Sequence, residues 1–131
     1  VGPWLPFQMI AAAWVGLGAA LLPPIRGRVE VVMLAAYGAA ASLLYGLIMN
    51  LWFWPFVRNL PAQISYQPGA DPLTNVIAWL RFTLATSLGW DLGRAALTAI
   101  LIAVAGSALL VALRRVARRA VFARPVEQGV R

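Results

Sequence analysis

The sequence predicts an all-α integral membrane protein with three transmembrane helices. Of its 131 residues, 62% are hydrophobic and only 11% are charged, whereas a soluble domain carries about 25% charged residues. Three runs contain no charged residue: 1–25, 31–57 and 95–113. Each run approaches the roughly 20 residues that an α-helix needs to cross about 30 Å of hydrocarbon.

The first two runs have clear helix boundaries. We predict one transmembrane helix over residues 5–22, because two prolines follow it directly and proline cannot continue a helix. The second is predicted over residues 31–54. It starts next to Glu30, whose negative charge suits a helix amino terminus, and it ends at Pro55.

The third run lies within a longer segment. Residues 58–74 contain three prolines and several turn-forming residues, which predicts an external loop. Residues 75–113 predict an external or interfacial helix that runs into the third transmembrane helix. This helix is longer than the membrane is thick, so we expect it to project or bend, with a kink near Gly89. Residues 114–131 are predicted to form a basic cytoplasmic tail.

The arginines set the predicted orientation. The net charge of +7 comes from eleven arginines and no lysine. They cluster at Arg26 and Arg28 and again within residues 114–119, so both clusters are predicted to be cytoplasmic and residues 58–74 external. Because topology accounts for the charge, no nucleic-acid partner is expected, whereas the second cluster is suited to anionic membrane lipid or a cytoplasmic subunit.

Several chemistries lack the residues that they need. The sequence contains no cysteine and no histidine, which excludes disulfides, thiolate chemistry and a Ser/His/Asp triad. It has no Gly-rich phosphate loop, and its four acidic residues are scattered. We therefore predict that the chain is not an enzyme and binds no metal or cofactor, and that any energy it uses comes from other subunits.

Polar and small residues follow helical spacing in each predicted span. The second span carries a stripe at i, i+4 spacing, and the last helix carries a polar face. The stripe consists of Gly38, Ser42, Gly46, Asn50 and Trp54, and the face of Thr83, Ser87, Asp91, Arg94 and Thr98. Gln8 heads a similar track on the first span. Alternating span directions place Gln8, Asn50 and Asp91 together at the external end.

Each of these patterns also has a purely structural interpretation. Small-residue stripes are usually helix-packing surfaces, and Asp91 and Arg94 at i, i+3 spacing can simply neutralise one another. Trp52 and Phe53 are typical of interfacial anchors. Pro55 disfavours helical geometry for the residue before it and would turn that residue out of the stripe.

Three segments resemble a known family. "GPWLPFQMIAAAWVGLGAALLP" (residues 2–23) is similar to a helix of the substrate-binding S components of energy-coupling factor (ECF) vitamin transporters. "YGLIMNLWFWPF" (45–56) and "TLATSLGWDLGRA" (83–95) resemble the two following helices in an actinobacterial branch. The resemblance implies six helices in the bacterial plasma membrane, of which this sequence supplies the last three.

The resemblance also implies a function. S components bind a vitamin or related micronutrient near the external face and work with a transmembrane T component and two ATPase subunits. By position, the pocket residues implied here are Gln8, Asn50, Trp54, Tyr66, Trp79, Asp91 and Arg94. Their rings would stack on a flat heterocycle, and their amides and charges would orient it.

Two other functional classes are considered. The chain can instead be a structural or assembly subunit without a ligand, whose polar residues only pack and whose basic tail docks a partner. An ion pathway requires acidic residues deep in the membrane, and residues 95–113 contain none. The sequence therefore favours the substrate-capture subunit of an importer over both.

Overall fold

The computed structural model describes residues 2–122, which form an all-helical protein. The helices are α1 (Leu5–Ala20), α2 (Arg28–Phe53), α3 (Pro72–Thr86) and α4 (Leu88–Phe122), with a 3₁₀ turn at Trp54–Phe56 after α2. Helix accounts for 78% of the described residues, which contain no strand. The predicted all-α class is confirmed. Within the predicted tail, α4 continues to Phe122, and residues 123–131 lie outside the described part.

Within residues 2–122, two helices rather than three are long and apolar enough to cross a membrane. They cover Arg28–Phe56 and Leu88–Ala120. Helix α1 has 16 residues and spans about 24 Å at 1.5 Å per residue, which is less than the hydrocarbon thickness. It ends at Ala20 rather than at residue 22, and a turn to Leu21 precedes the two prolines. The third span therefore remains a prediction.

The two long helices expose most of their apolar surface. Only 11% of the most apolar window of α2 and 6% of that of α4 are buried inside the protein. A core helix of a soluble domain is, in contrast, apolar where it is buried. The surface of these two helices is thus apolar over most of their length, as in helices that could cross a membrane by length and composition.

Helices α2 and α4 pack as an antiparallel pair. Near the middle of α2, Gly38 faces Thr98 and Ile102, whereas farther along the helix Gly46 faces Asp91. A β-carbon at position 38 would lie only 2.6 Å from the Cδ1 atom of Ile102, so the helices approach as closely as they do because glycine is present. Helix α1 packs on α2, where the Tyr37 hydroxyl donates to the carbonyl oxygen of Val15.

The interruption between α3 and α4 is a single residue at Ser87, not Gly89. Thr86 donates its hydroxyl to the Phe82 carbonyl oxygen at 2.8 Å, a side-chain bond that competes with helix continuation and bends helices. The backbone hydrogen bonds nevertheless continue, from Ser87 to Thr83 and from Asp91 to Ser87. Gly89 lies inside α4.

The loop before α3 folds onto the end of α2. Helix α3 begins at Pro72, earlier than the predicted residue 75, because the Asp71 side chain caps it by accepting from the Leu73 amide at 2.9 Å. Asn75 pairs with the backbone of Gln67 through bonds of 2.9 and 3.0 Å. The loop is thus fastened to α3.

Candidate functional site

A seam of polar side chains joins α2 to α4. It consists of Ser42, Asn50, Ser87, Asp91, Arg94 and Thr98, together with Gly46. Ser42 donates to the Thr98 hydroxyl at 3.1 Å. Ser87, at the other end of the seam, donates to the Asn50 side-chain oxygen at 3.2 Å. The small-residue stripe of α2 therefore faces the predicted polar face of α3 and α4.

Asp91 lies at the centre of the seam, against the Gly46 backbone. It is 7% exposed, and a β-carbon at position 46 would overlap its carboxylate. The space that glycine leaves is therefore the space that the carboxylate occupies. A buried carboxylate is costly unless it is paired, and here the pairing partner is Arg94.

Arg94 donates hydrogen bonds to both helices. Its Nη2 atom donates to Asp91 Oδ1 at 2.6 Å and to the Ser42 carbonyl oxygen at 2.9 Å. Its guanidinium carbon also lies 5.4 Å from the ring centroid of Tyr45, within the range of a cation–π contact. The structural interpretation of Asp91 and Arg94 as an ion pair is therefore realised in this geometry, and the carboxylate is already occupied.

Three buried polar atoms of α2 and α3 have no partner among the described residues. They are Asn50 Nδ2, Trp79 Nε1 and Thr83 Oγ1. Trp79 and Thr83 are four residues apart on α3, and Ser87, which directly follows α3, contacts Asn50. We call Asn50, Trp79 and Thr83, which carry the three unpartnered atoms, the orphan cluster. Buried groups of this kind are rare because each costs about 1–3 kcal/mol.

Trp54 belongs to a separate aromatic cluster. It keeps helical geometry (φ −52°, ψ −43°) despite the following Pro55, and it is 3% exposed. Its indole Nε1 donates to the Ile64 carbonyl oxygen at 2.6 Å, and its ring meets Tyr66 edge-on at a centroid distance of 5.5 Å. Ile64 and Tyr66 of the loop thus contact Trp54, which also packs against Phe82 of α3.

Gln8 lies apart from both groups. It sits on α1, half-buried, and its backbone amide donates to the Trp4 carbonyl oxygen at 3.1 Å, whereas its side chain makes no hydrogen bond within the described part. Its neighbour Phe7 packs against Trp52 with ring centroids 4.9 Å apart, so the aromatic run of α2 contacts α1 as well. The seven predicted site residues therefore divide into the seam (Asn50, Asp91, Arg94), the residues around the loop (Trp54, Tyr66, Trp79) and Gln8.

Two grooves flank the α2–α4 pair. One, of about 450 Å³, opens between α1, α2 and α4 beside Tyr37, Tyr45, Ser42 and Arg94. The other, of about 800 Å³, lies at the opposite end, between the start of α2 and the end of α4. Arg94 alone among the seven predicted residues lines either groove. No group of three potential metal ligands occurs within residues 2–122.

Sequence reasoning missed Tyr45 and the partnership of Glu30 with Arg114. Tyr45 lies three residues after Ser42, which places it beside the stripe. This spacing could have identified Tyr45 from the sequence. Glu30 accepts from Arg114 at 2.5 Å, a contact between residues far apart in the chain. Only the antiparallel register of α2 and α4 brings them together.

The fold and the seam together define a helical protein with two helices apolar enough to cross a membrane. No protein-family model, curated protein or solved structure matches the chain.

Proposed function

We propose that the chain is the substrate-capture subunit of an ATP-driven importer of the ECF type, embedded in the bacterial plasma membrane with its C-terminus cytoplasmic. It binds a vitamin or related micronutrient near the external face. A T component and ATPase subunits supply the energy, so the chain itself hydrolyses nothing. The observation that carries this proposal is the orphan cluster.

The orphan cluster has the chemistry of a ligand site. The Asn50 amide nitrogen and the Trp79 indole nitrogen can only donate, and the Thr83 hydroxyl can donate or accept. A heterocycle with carbonyl oxygens or ring nitrogens would satisfy these atoms, as ligand pockets commonly do with a few polar groups in an apolar wall. The Trp79 ring, partly buried against the cluster of Trp54, Ala78 and Phe82, would add a surface on which a flat molecule can pack.

The arginine positions support a location of the orphan cluster at one membrane boundary. Arg94 and Arg114 are about 20 residues apart on α4, which corresponds to about 30 Å of helix and to the hydrocarbon thickness. The arginine-rich end is assigned to the cytoplasm by the positive-inside rule. The orphan cluster, on the far side of Arg94, then faces outward.

The test compares retained ligand in purified protein. The full-length protein is isolated with its T and ATPase partners, and released small molecules are identified by mass spectrometry. Asn50→Ala is expected to lower the retained amount about three- to tenfold, the loss of one hydrogen bond. Asp91→Ala should lower it as well, because it leaves Arg94 unpaired beside the cluster. Gln63→Ala, which removes an exposed loop amide, is the matched control.

Thr83→Val separates ligand binding from folding. The exchange keeps the shape but removes a hydroxyl that has no partner within the described residues, so stability in detergent should stay equal or rise. Ligand retention should nevertheless fall. Unchanged retention in the Asn50, Asp91 and Thr83 variants would overturn the proposed site.

A structural or assembly subunit is the second candidate. The internal pairing of Asp91, Arg94 and Ser42 favours it, since a packing seam satisfies its own polar groups. Such a subunit should carry no small molecule through purification with its partners, whereas the proposed importer subunit should carry one.

A further inference from the structure

The larger groove is lined by small side chains along its length and by charged ones at its end. Its walls are formed mainly by Ala35, Ala36, Ala39, Ala99, Ala103 and Ser107. The charged end contains Arg28, Glu30 and Arg114. The groove has a volume of about 800 Å³. It is an elongated apolar surface with arginine side chains at one end.

The charges at this end are not balanced. Glu30 pairs with Arg114 at 2.5 Å, but Arg28 makes no salt bridge within residues 2–122 and is exposed. Arg26 and Arg115 lie next to these positions in the sequence. The mouth of the groove therefore carries a positive excess beside an apolar wall.

From this arrangement we infer that the groove binds one anionic phospholipid, with an acyl chain along the alanine wall and the phosphate held by Arg28. The inference rests on the membrane insertion contained in the proposed function, but not on the substrate. Charge complementarity selects this occupant, since clustered arginines at a membrane surface attract anionic head groups. Arg114 contributes to the potential, although Glu30 already holds its guanidinium.

A second copy of the chain fits the groove less well. Two copies inserted with the same orientation would bring their arginine-rich ends to the same membrane level. A two-fold contact through this groove would then juxtapose Arg28 with its own equivalent, and like charges at an interface are unfavourable. An anionic lipid meets the same surface with opposite charge.

The experiment measures lipid retention without any vitamin. The full-length protein is reconstituted in nanodiscs of phosphatidylcholine with a minor fraction of phosphatidylglycerol, extracted mildly and weighed by native mass spectrometry. We expect phosphatidylglycerol to be retained in preference to phosphatidylcholine. Arg28→Gln should lower its occupancy about tenfold, as loss of a charged hydrogen bond does. Arg81→Gln, the same charge change at an exposed residue of α3, should leave it unchanged.

A second variant tests the apolar wall. Ala103→Leu fills part of the groove without altering charge, and it should also reduce phosphatidylglycerol retention. Equal loss with Arg28→Gln and Arg81→Gln would overturn the inference, because binding would then follow net charge alone. Retention unaffected by Ala103→Leu, or a dimer mass abolished by Ala103→Leu, would overturn it too. Ligand retention by the orphan cluster is read separately, so either proposal can fail without the other.

Discussion

Gly46 shows how one missing side chain organises the polar seam. Its backbone forms the surface on which the Asp91 carboxylate rests, and Asp91 in turn fixes Arg94. Asp91 is only 7% exposed, so the position of its carboxylate depends on both the space at Gly46 and the charge of Arg94. The seam therefore combines close helix approach with a paired charge.

Gly46→Ala should destabilise the protein. The added methyl overlaps the Asp91 carboxylate, and overpacking of this kind costs about 1–3 kcal/mol, which exceeds the gain of up to about 1 kcal/mol in helix propensity. Gly93→Ala is the matched control, since a β-carbon there meets nothing within 4 Å, and it should be neutral or stabilising. Thermal unfolding in detergent measures both. A Gly46→Ala protein as stable as Gly93→Ala would contradict this account of the seam.

The loop and α3 act as one element because Trp54 anchors them to α2. The indole donates to the Ile64 carbonyl oxygen, and the ring packs with Ala78 and Phe82 of α3. Asn75 ties the start of α3 back to Gln67. The sequence predicted an external loop here, and the structure shows this loop fastened at both ends.

Trp54→Phe should loosen this loop. It removes the bond to Ile64 and leaves that carbonyl oxygen without its partner, at a cost of about 1–3 kcal/mol. Trypsin cleavage after Arg58, which is exposed within the loop, should become faster. Trp90→Phe makes the same exchange at a tryptophan that is 83% exposed, and its cleavage rate should match the unmodified protein. Equal rates for the two variants would show that Trp54 does not hold the loop.

At the scale of the whole molecule, the sequence predicts features that depend on residues close together in the chain. It does not predict features that depend on contacts between residues far apart in the chain. The charge-free run 31–57 overlaps most of α2 and the following turn, and the run 95–113 lies within α4, because apolarity is a local property. The i, i+4 stripes of Asn50 and Asp91 likewise follow from helical spacing. The burial of Trp54 under the loop and the pairing of Glu30 with Arg114 depend on tertiary register, which no local pattern encodes.

The predicted orientation can be tested because the chain has no cysteine of its own. Two single-cysteine variants at exposed positions suffice: Gln63→Cys in the loop and Ala117→Cys near the end of α4. Neither removes an arginine, so the charges that determine topology stay intact. A membrane-impermeant maleimide added to intact cells should label Gln63→Cys strongly, whereas Ala117→Cys should require permeabilisation. The reverse pattern would place the orphan cluster at the cytoplasmic face and contradict a role in capturing external substrate. Labelling of both variants in intact cells would show that α4 does not cross the membrane.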